Sequence, residues 1–325
     1  AMRRIFPLLL ILLLLCGCGG NRDAAAPEDA DRLVIFTARS TAVYDDAVRE
    51  FERRTGIWVE VHTADDALPL LEQISAGQRC DLLLGVTPDC LSACGELFAP
   101  YAPEAAADIP GAYRDSEDRW TPFSLLPVVL IYNDQLVQRN VPDSWSSLTS
   151  SAWRGRIACP DPTVSATGCT ALEAMTQALD GEAEQVLADF VRCVGDVLPT
   201  AEDVVTAVAD GRCYVGVTTE DLAMQAAASG LSVTVIYPRE GTVVQPDCAA
   251  IIADCAHEDN ARAFIDFLLS GEVQERLTRQ YRRTVFTPPG DASLPHALAY
   301  DPYAAGAHQA ETLDIWSSLT AEETP

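Results

Sequence analysis

The sequence predicts an α/β protein built on parallel sheet. Short β-rich apolar runs alternate with amphipathic helical stretches along most of its 325 residues. The first group has the order strand, loop, helix, strand, which is a crossover between parallel strands. The composition, 48% hydrophobic and 22% charged, is that of a globular protein, and the length suggests about two domains.

Leu33–Thr37 is the first strand. The polar loop Ala38-Arg39-Ser40-Thr41 follows, and Val43, Ala47, Val48 and Phe51 then mark one face of a helix ending at Gly56. Ile57–Val61 reads as the next strand, and Asp81–Val86 as the third after a further helix. Later strand candidates are Val128–Tyr132, Arg156–Ala158, Tyr214–Thr218, Ser232–Tyr237 and Ala249–Ala253. Between them the pattern predicts helices over Ala171–Leu179, Ala183–Val194, Ala201–Ala209 and Leu222–Ala228. The end is helical, over Asn260–Leu269, Val273–Tyr281 and about Tyr303–Leu319.

The first residues carry a targeting pattern. Arg3 and Arg4 precede an apolar stretch, Leu8 to Leu15, that is too short to span a bilayer. Leu15-Cys16-Gly17-Cys18 resembles the bacterial lipobox, whose cysteine is lipidated. Residues 1–18 are expected to be a lipoprotein signal ending at Cys18, and residues 19–31 a flexible linker. An ordinary secretory signal is the alternative. Either places the protein in the cell envelope, facing the periplasm or exterior.

The formal charge is −26, a poor match to nucleic acid, and no nucleic-acid partner is expected. Every basic residue is arginine, which excludes a P-loop lysine and a lysine Schiff base. Of the 11 cysteines, nine follow Cys18; they form no C-x-x-C pair and read as mostly reduced core thiols, with disulfides as the alternative, Cys90 with Cys94 and Cys248 with Cys255 being near enough in sequence to meet. His62, His257, His296 and His308 belong to no H-E-x-x-H or triad pattern. No cofactor, metal cluster or catalytic residue is expected.

Hydroxyls recur where strands turn into helices, which is where open α/β sheets bind ligands and where helix N-termini offer free N–H groups. The first such place is Thr37 to Thr41, with Arg39 able to fork onto an anion; a plain cap beside a solvated arginine is the alternative. The second is the small, polar loop from Pro162 to Thr170, including Ser165, Thr167 and Gly168; a purely structural loop is the alternative. Thr200-Ala201-Glu202-Asp203 reads first as a capping box. At Thr219-Glu220-Asp221 two carboxylates either meet hydroxyls or an ammonium group, or favour the start of the next helix.

Leu33–Val61 resembles the opening of bacterial ABC-transporter solute-binding proteins, in the branch containing ferric-iron, phosphonate and sugar-phosphate binders. The likeness continues through Asp118–Thr121, Tyr132-Asn133, Pro142–Trp145, Trp153–Arg156, Val215–Asp221, Phe264–Leu269, Tyr300-Asp301 and Trp316. It implies a two-lobed, type II periplasmic-binding fold with crossing strands near Phe123–Val129 and Val243–Ala250. The implied lobes are residues 32–125 with 247–325, and residues 126–246. The implied function is capture of a small anionic solute, a sugar phosphate or phosphonate, by a monomer that delivers it to an ABC permease. Ferric binders carry a tyrosine pair where this chain has Thr219-Glu220-Asp221, so iron is the alternative ligand. An exported phosphate-ester hydrolase is a more distant one. By the same resemblance, Ser40, Thr41, Ser165 and Thr167 meet phosphate oxygens with Arg39. Glu220 and Asp221 meet the organic part, and Thr37, Gly168, Thr200 and Thr219 complete the site.

Overall fold

The computed structural model describes residues 29–64, 67–288, 291 and 294–323. The expected signal and Cys18 lie outside the described residues. Among those residues no helix is long and apolar enough to cross a membrane.

The chain begins with β1 (Arg32–Thr37), α1 (Thr41–Thr55), β2 (Trp58–Thr63), α2 (Ala67–Ser75), β3 (Leu82–Val86), α3 (Pro88–Ser92) and the short β4 (Phe98–Ala99). A long strand, β5 (Thr121–Tyr132), leads to α4 (Trp145–Leu148), β6 (Ile157–Pro160), α5 (Ala166–Ala178), α6 (Ala183–Val191), β7 (Val194–Leu198), α7 (Ala201–Ala209), β8 (Val215–Thr219), α8 (Glu220–Ala228) and β9 (Thr234–Ile236). The chain returns along β10 (Val244–Ile252) to α9 (Glu258–Leu268), α10 (Gly271–Arg279) and α11 (Pro302–Glu323).

The strand order is β2-β1-β3-β10-β5-β8-β6-β7, with β4 beside β10 and β9 beside β5. β1 pairs in parallel with both β2 and β3, as the crossover pattern predicts. Alternation along β1 explains the layers. Leu33 and Ile35 enter the core under α1 and α9, while Val34 and Phe36 enter the core under α2. A strand buried on both faces reads as one continuous apolar run. In the first of these cores Phe51 of α1 meets Phe264 of α9 edge to face, with ring centroids 5.0 Å apart. Each ring is almost wholly buried, a burial that contributes about 2–3 kcal/mol. The second half repeats the scheme: α5 and α6 cover one face of its strands and α7 with α8 the other.

β5 belongs to both halves. Leu125 is paired with Pro246 of β10, whereas Val128 is paired with Thr219 of β8. The return passes through Thr242 and Val243: the Thr242 hydroxyl donates to the Val128 carbonyl at 2.6 Å, and the Val128 N–H to the Val243 carbonyl at 3.1 Å. Pro122, Pro127 and Pro246 all sit in this crossing ladder, where each removes an N–H donor.

Two expectations change. α5 starts at Ala166, five residues before the predicted helix, so the small polar loop is shorter than it looks. α6 stops at Val191 because Val194–Leu198 is an edge strand, β7, that the sequence did not suggest. α11 packs on both halves: Trp316 is buried in the second core beside Phe190, and Gly306 lies against Asp89 of α3.

Candidate functional site

A solvent-open cleft of about 450 Å³ has walls from both halves of the chain. Ala38 to Ser40, Val43 and Gly85 to Thr87 come from the first half; Val164 to Thr167, Pro199 to Glu202, Thr219 and Asp221 come from the second. Leu126, on the crossing strand, also lines it. The wall segments after β1, β3, β6, β7 and β8 all lie beyond the carboxyl ends of their strands, where this class of sheet leaves room for ligand.

Four long helices begin at this cleft. Ser40, Ser165, Thr200 and Thr219 are the N-caps of α1, α5, α7 and α8, and all four line it. The hydroxyls of Ser40, Ser165 and Thr167 make no hydrogen bond within the described residues. First-turn N–H groups lack helical partners by geometry, and each N-terminus carries about half a positive charge. Small caps keep those donors reachable; a bulky side chain would cover them. The Thr200 hydroxyl, by contrast, is engaged: it accepts from the Asp203 N–H at 3.0 Å and donates to its carboxylate at 2.8 Å.

The cleft floor holds a chain of charges. Arg39 donates from Nε and Nη2 to Asp247 Oδ1, at 3.2 and 2.9 Å. Arg282 donates from Nη1 to Asp247 Oδ2 at 2.5 Å and to the Ser124 hydroxyl at 2.8 Å. Its Nε lies 3.3 Å from Asp221 Oδ2. Asp221 also accepts from the Thr219 hydroxyl at 2.5 Å. Both arginines line the cleft, held in place by carboxylates beneath them. Gly85 makes room for this arrangement. Its φ is +76°, and a Cβ there would lie 2.3 Å from Arg39 Cγ.

Of the predicted residues, Arg39, Ser40, Ser165, Thr167, Thr200, Thr219 and Asp221 come together on the wall. Thr41 begins α1 next to Ser40. Three predictions need correction. Thr37 is fully buried and its hydroxyl accepts from the Arg39 N–H at 3.1 Å, so it shapes the loop behind the wall. Gly168 faces away: a Cβ there would sit 2.7 Å from the Pro160 carbonyl, so the glycine lets α5 pack on β6. Glu220 is buried too. Arg283 donates to its two oxygens from Nε and Nη2, each at 2.6 Å, and the Tyr237 hydroxyl donates to Oε1. That carboxylate is consumed within the fold.

Sequence reasoning passed over Gly85 and Arg282 and read Glu202 only as part of a capping box. The adjacent arginines Arg282-Arg283 in so acidic a chain were a usable signal, as was a glycine ending an otherwise apolar strand. Glu202 sits in the first turn of α7. Burial by the surrounding protein, then Asp221, raises its carboxyl above the ordinary glutamate value, with a smaller push from Asp203; Arg39 and Arg282 pull the other way.

The family model described as "Bacterial extracellular solute-binding protein" matches residues 95–303. The curated "Probable ABC transporter periplasmic-binding protein y4fP" of Sinorhizobium fredii is 27% identical over 233 residues, covering 69% of this chain and 63% of that protein. The matched region therefore spans less than two thirds of the relative's length. Among solved structures, the periplasmic binding protein AfuA from Actinobacillus pleuropneumoniae, with exogenous fructose-6-phosphate bound, superposes with a TM-score of 0.81. That match has 19% identity over 89% of this chain and 98% of that one. The apo ferric ion-binding protein A of Pasteurella haemolytica gives a TM-score of 0.77 at 16% identity over 91% of this chain and 99% of that one. At such identity these likenesses establish the two-lobed periplasmic-binding fold. With the family model matched over most of its length, the chain belongs to the bacterial extracellular solute-binding proteins.

Proposed function

We propose that this protein is the solute-binding component of an ABC importer and that it captures a small anionic solute, a phosphorylated sugar or phosphonate, in the cleft. The observation that carries this reading is the convergence of four helix N-termini, α1, α5, α7 and α8, on one cavity beside the unpaired hydroxyls of Ser40, Ser165 and Thr167. Each N-terminus favours an anion by about 0.3–1 kcal/mol when exposed and by more when shielded from water. Arg39 and Arg282, both paired with Asp247, line the floor.

The lobes, residues 32–125 with 247–325 and residues 126–246, close about the crossing strands when ligand bridges the two walls. α11, packed on both lobes, then acts as a strap across that motion. The exported chain is tethered through a lipid on Cys18 and passes its cargo, as a monomer, to a membrane permease. It carries out no chemistry on the cargo. The fructose-6-phosphate bound to AfuA and the ABC-transporter role of y4fP support this class of ligand and partner.

The ferric alternative is weaker on the residues present. The described cleft lining has no tyrosine and no histidine, and its acids are Glu202 and Asp221. Hard Fe³⁺ would lack phenolates there.

Thermal denaturation with hexose phosphates, 2-aminoethylphosphonate, inorganic phosphate and Fe³⁺ tests the proposal. A true ligand at a hundredfold its Kd adds about 2.7 kcal/mol of stability. Stabilisation by one of the organic anions is expected; a response to Fe³⁺ alone overturns the assignment.

A further inference from the structure

We infer that Glu202 is the specificity-determining residue of the cleft: it selects anions that carry a hydrogen-bond donor, a hydroxyl or an ammonium group, beyond their anionic end, and it disfavours anions that carry none. The inference rests on the anion-binding reading above.

The two acids lining the cleft among the described residues differ sharply. Asp221 is buried, with Arg282 against one oxygen and the Thr219 hydroxyl on the other. Glu202 is exposed to the cavity, and no hydrogen bond or ion pair reaches its carboxylate among the described residues. Helix capping does not account for it, because the cap of α7 is completed one residue later, by Asp203 with Thr200. Nor do the arginines bond it: Arg39 and Arg282 act on Glu202 only through space, while both donate to Asp247 and Arg282 also faces Asp221.

Glu202 thus stands on the anion-receiving wall as a carboxylate with no donor of its own. Partial loss of bulk water against the cleft wall, then Asp221, raises its proton affinity ahead of the opposing Arg39, although the side chain stays open to the cavity. An inorganic anion beside it meets like charge. An organic anion whose hydroxyl or ammonium reaches Glu202 replaces that repulsion with a charge-assisted hydrogen bond. The role expected by resemblance for Glu220 falls to this residue, since Glu220 is enclosed by Arg283 and Tyr237. Discrimination of this kind, by a polar group left unpaired when the wrong ligand binds, is stronger than discrimination by size.

Calorimetric titration of the full-length protein with four probes tests the inference: inorganic phosphate, methyl phosphate, glycerol 3-phosphate and 2-aminoethyl phosphate. The wild type is expected to favour at least one donor-bearing probe over methyl phosphate by tenfold or more. Glu202→Ala is expected to bring that ratio within about threefold and to tighten binding of methyl phosphate. Glu202→Gln keeps an acceptor and removes the charge. It retains part of the preference if the donor is a hydroxyl and loses it if the donor is ammonium. If probes bind and the ratio is unchanged in Glu202→Ala, the role of Glu202 is refuted while the anion site stands. If no probe binds either wild type or variant, the anion reading fails, and this inference with it. The melting temperature of each variant, measured alongside, is expected to stay near wild type, because Glu202 packs into no core.

Discussion

Replacing Asp247 with asparagine tests the charged floor of the cleft. Asp247 is fully buried and holds Arg39 by two hydrogen bonds and Arg282 by one. Asparagine keeps the volume, removes the charge, and turns an amide NH₂ toward one of the guanidinium groups. Deleting one member of a buried ion pair typically costs about 3–5 kcal/mol, because the partner is left charged and unpaired. Here the lower end applies: Arg282 still faces Asp221, and the Arg39 side chain, 21% exposed, can turn into cleft water. The expected loss is therefore about 3 kcal/mol. With an unfolding entropy of about 2.1 cal/mol/K per residue, a chain of 325 residues melting as one unit loses roughly 4–5 °C. Scanning calorimetry and urea denaturation measure both quantities. Pairing the change with Arg39→Met should recover part of the loss, since the orphaned charge is then gone. A loss below about 1 kcal/mol, or no recovery in the double variant, refutes the idea that Asp247 is what anchors the two arginines.

Other outcomes follow from the same contacts. Gly85→Ala forces a left-handed φ on alanine and drives its Cβ into Arg39, so it should lose about 1–2 kcal/mol of stability and weaken anion binding, read by denaturation and calorimetry. Burial would raise the Asp115 carboxyl, yet hydrogen bonds from Arg119 and Tyr303 outweigh it and hold the net value below the ordinary one. Asp115→Asn should then cost about 2 kcal/mol near pH 7. A lowered carboxylate stabilises above its unfolded value of about 3.9, so the gap between wild type and variant closes as pH falls through the lowered folded value; a gap that widens in acid would contradict the assignment. Burial pushes the Cys80 thiol up to about 12 and the Cys213 thiol to about 11. At pH 8 without reductant, a thiol reagent should reach at most the partly exposed Cys90, Cys94, Cys169 and Cys255 in the native protein, and all nine described cysteines after unfolding. Mass spectrometry counts the labels, and a shortfall after unfolding would mean disulfides.

The elements readable in the sequence were those whose burial leaves a local trace. β1 and β3 are unbroken apolar runs because both of their faces are covered. The N-caps of the cleft were readable because a small hydroxyl residue between strand and helix is a local pattern. The residue pattern showed β5 only from Val128 on, because Pro122 and Pro127 argue against a central strand, and its earlier part near Phe123 came only from the family resemblance. They are tolerated where the chain passes from one half to the other. β7 was missed since its residues alternate between half-buried and exposed and include Gly195-Asp196, which reads as a turn. The site's charges were the least legible part. Glu220 and Asp221 look equivalent in sequence, and what separates them lies about sixty residues on: Arg283 closes over the first and Arg282 leaves the second at the cleft. Glu202 looked like one more acid in a first turn until its neighbour Asp203 proved to complete the cap.

β10 lies between β3 and β5, yet it follows the whole second half in the chain. The first sheet is therefore unfinished until residue 252 has been made. Before then β3 and β5 present open backbone edges, the kind of surface on which strands from other molecules add. A nascent or truncated chain ending before Val244 should aggregate rather than rest as a half-protein. The late strand also imposes long-range pairing on the folding reaction, which slows it. A chain built this way gives a chaperone or translocation machine time to act while it is still open.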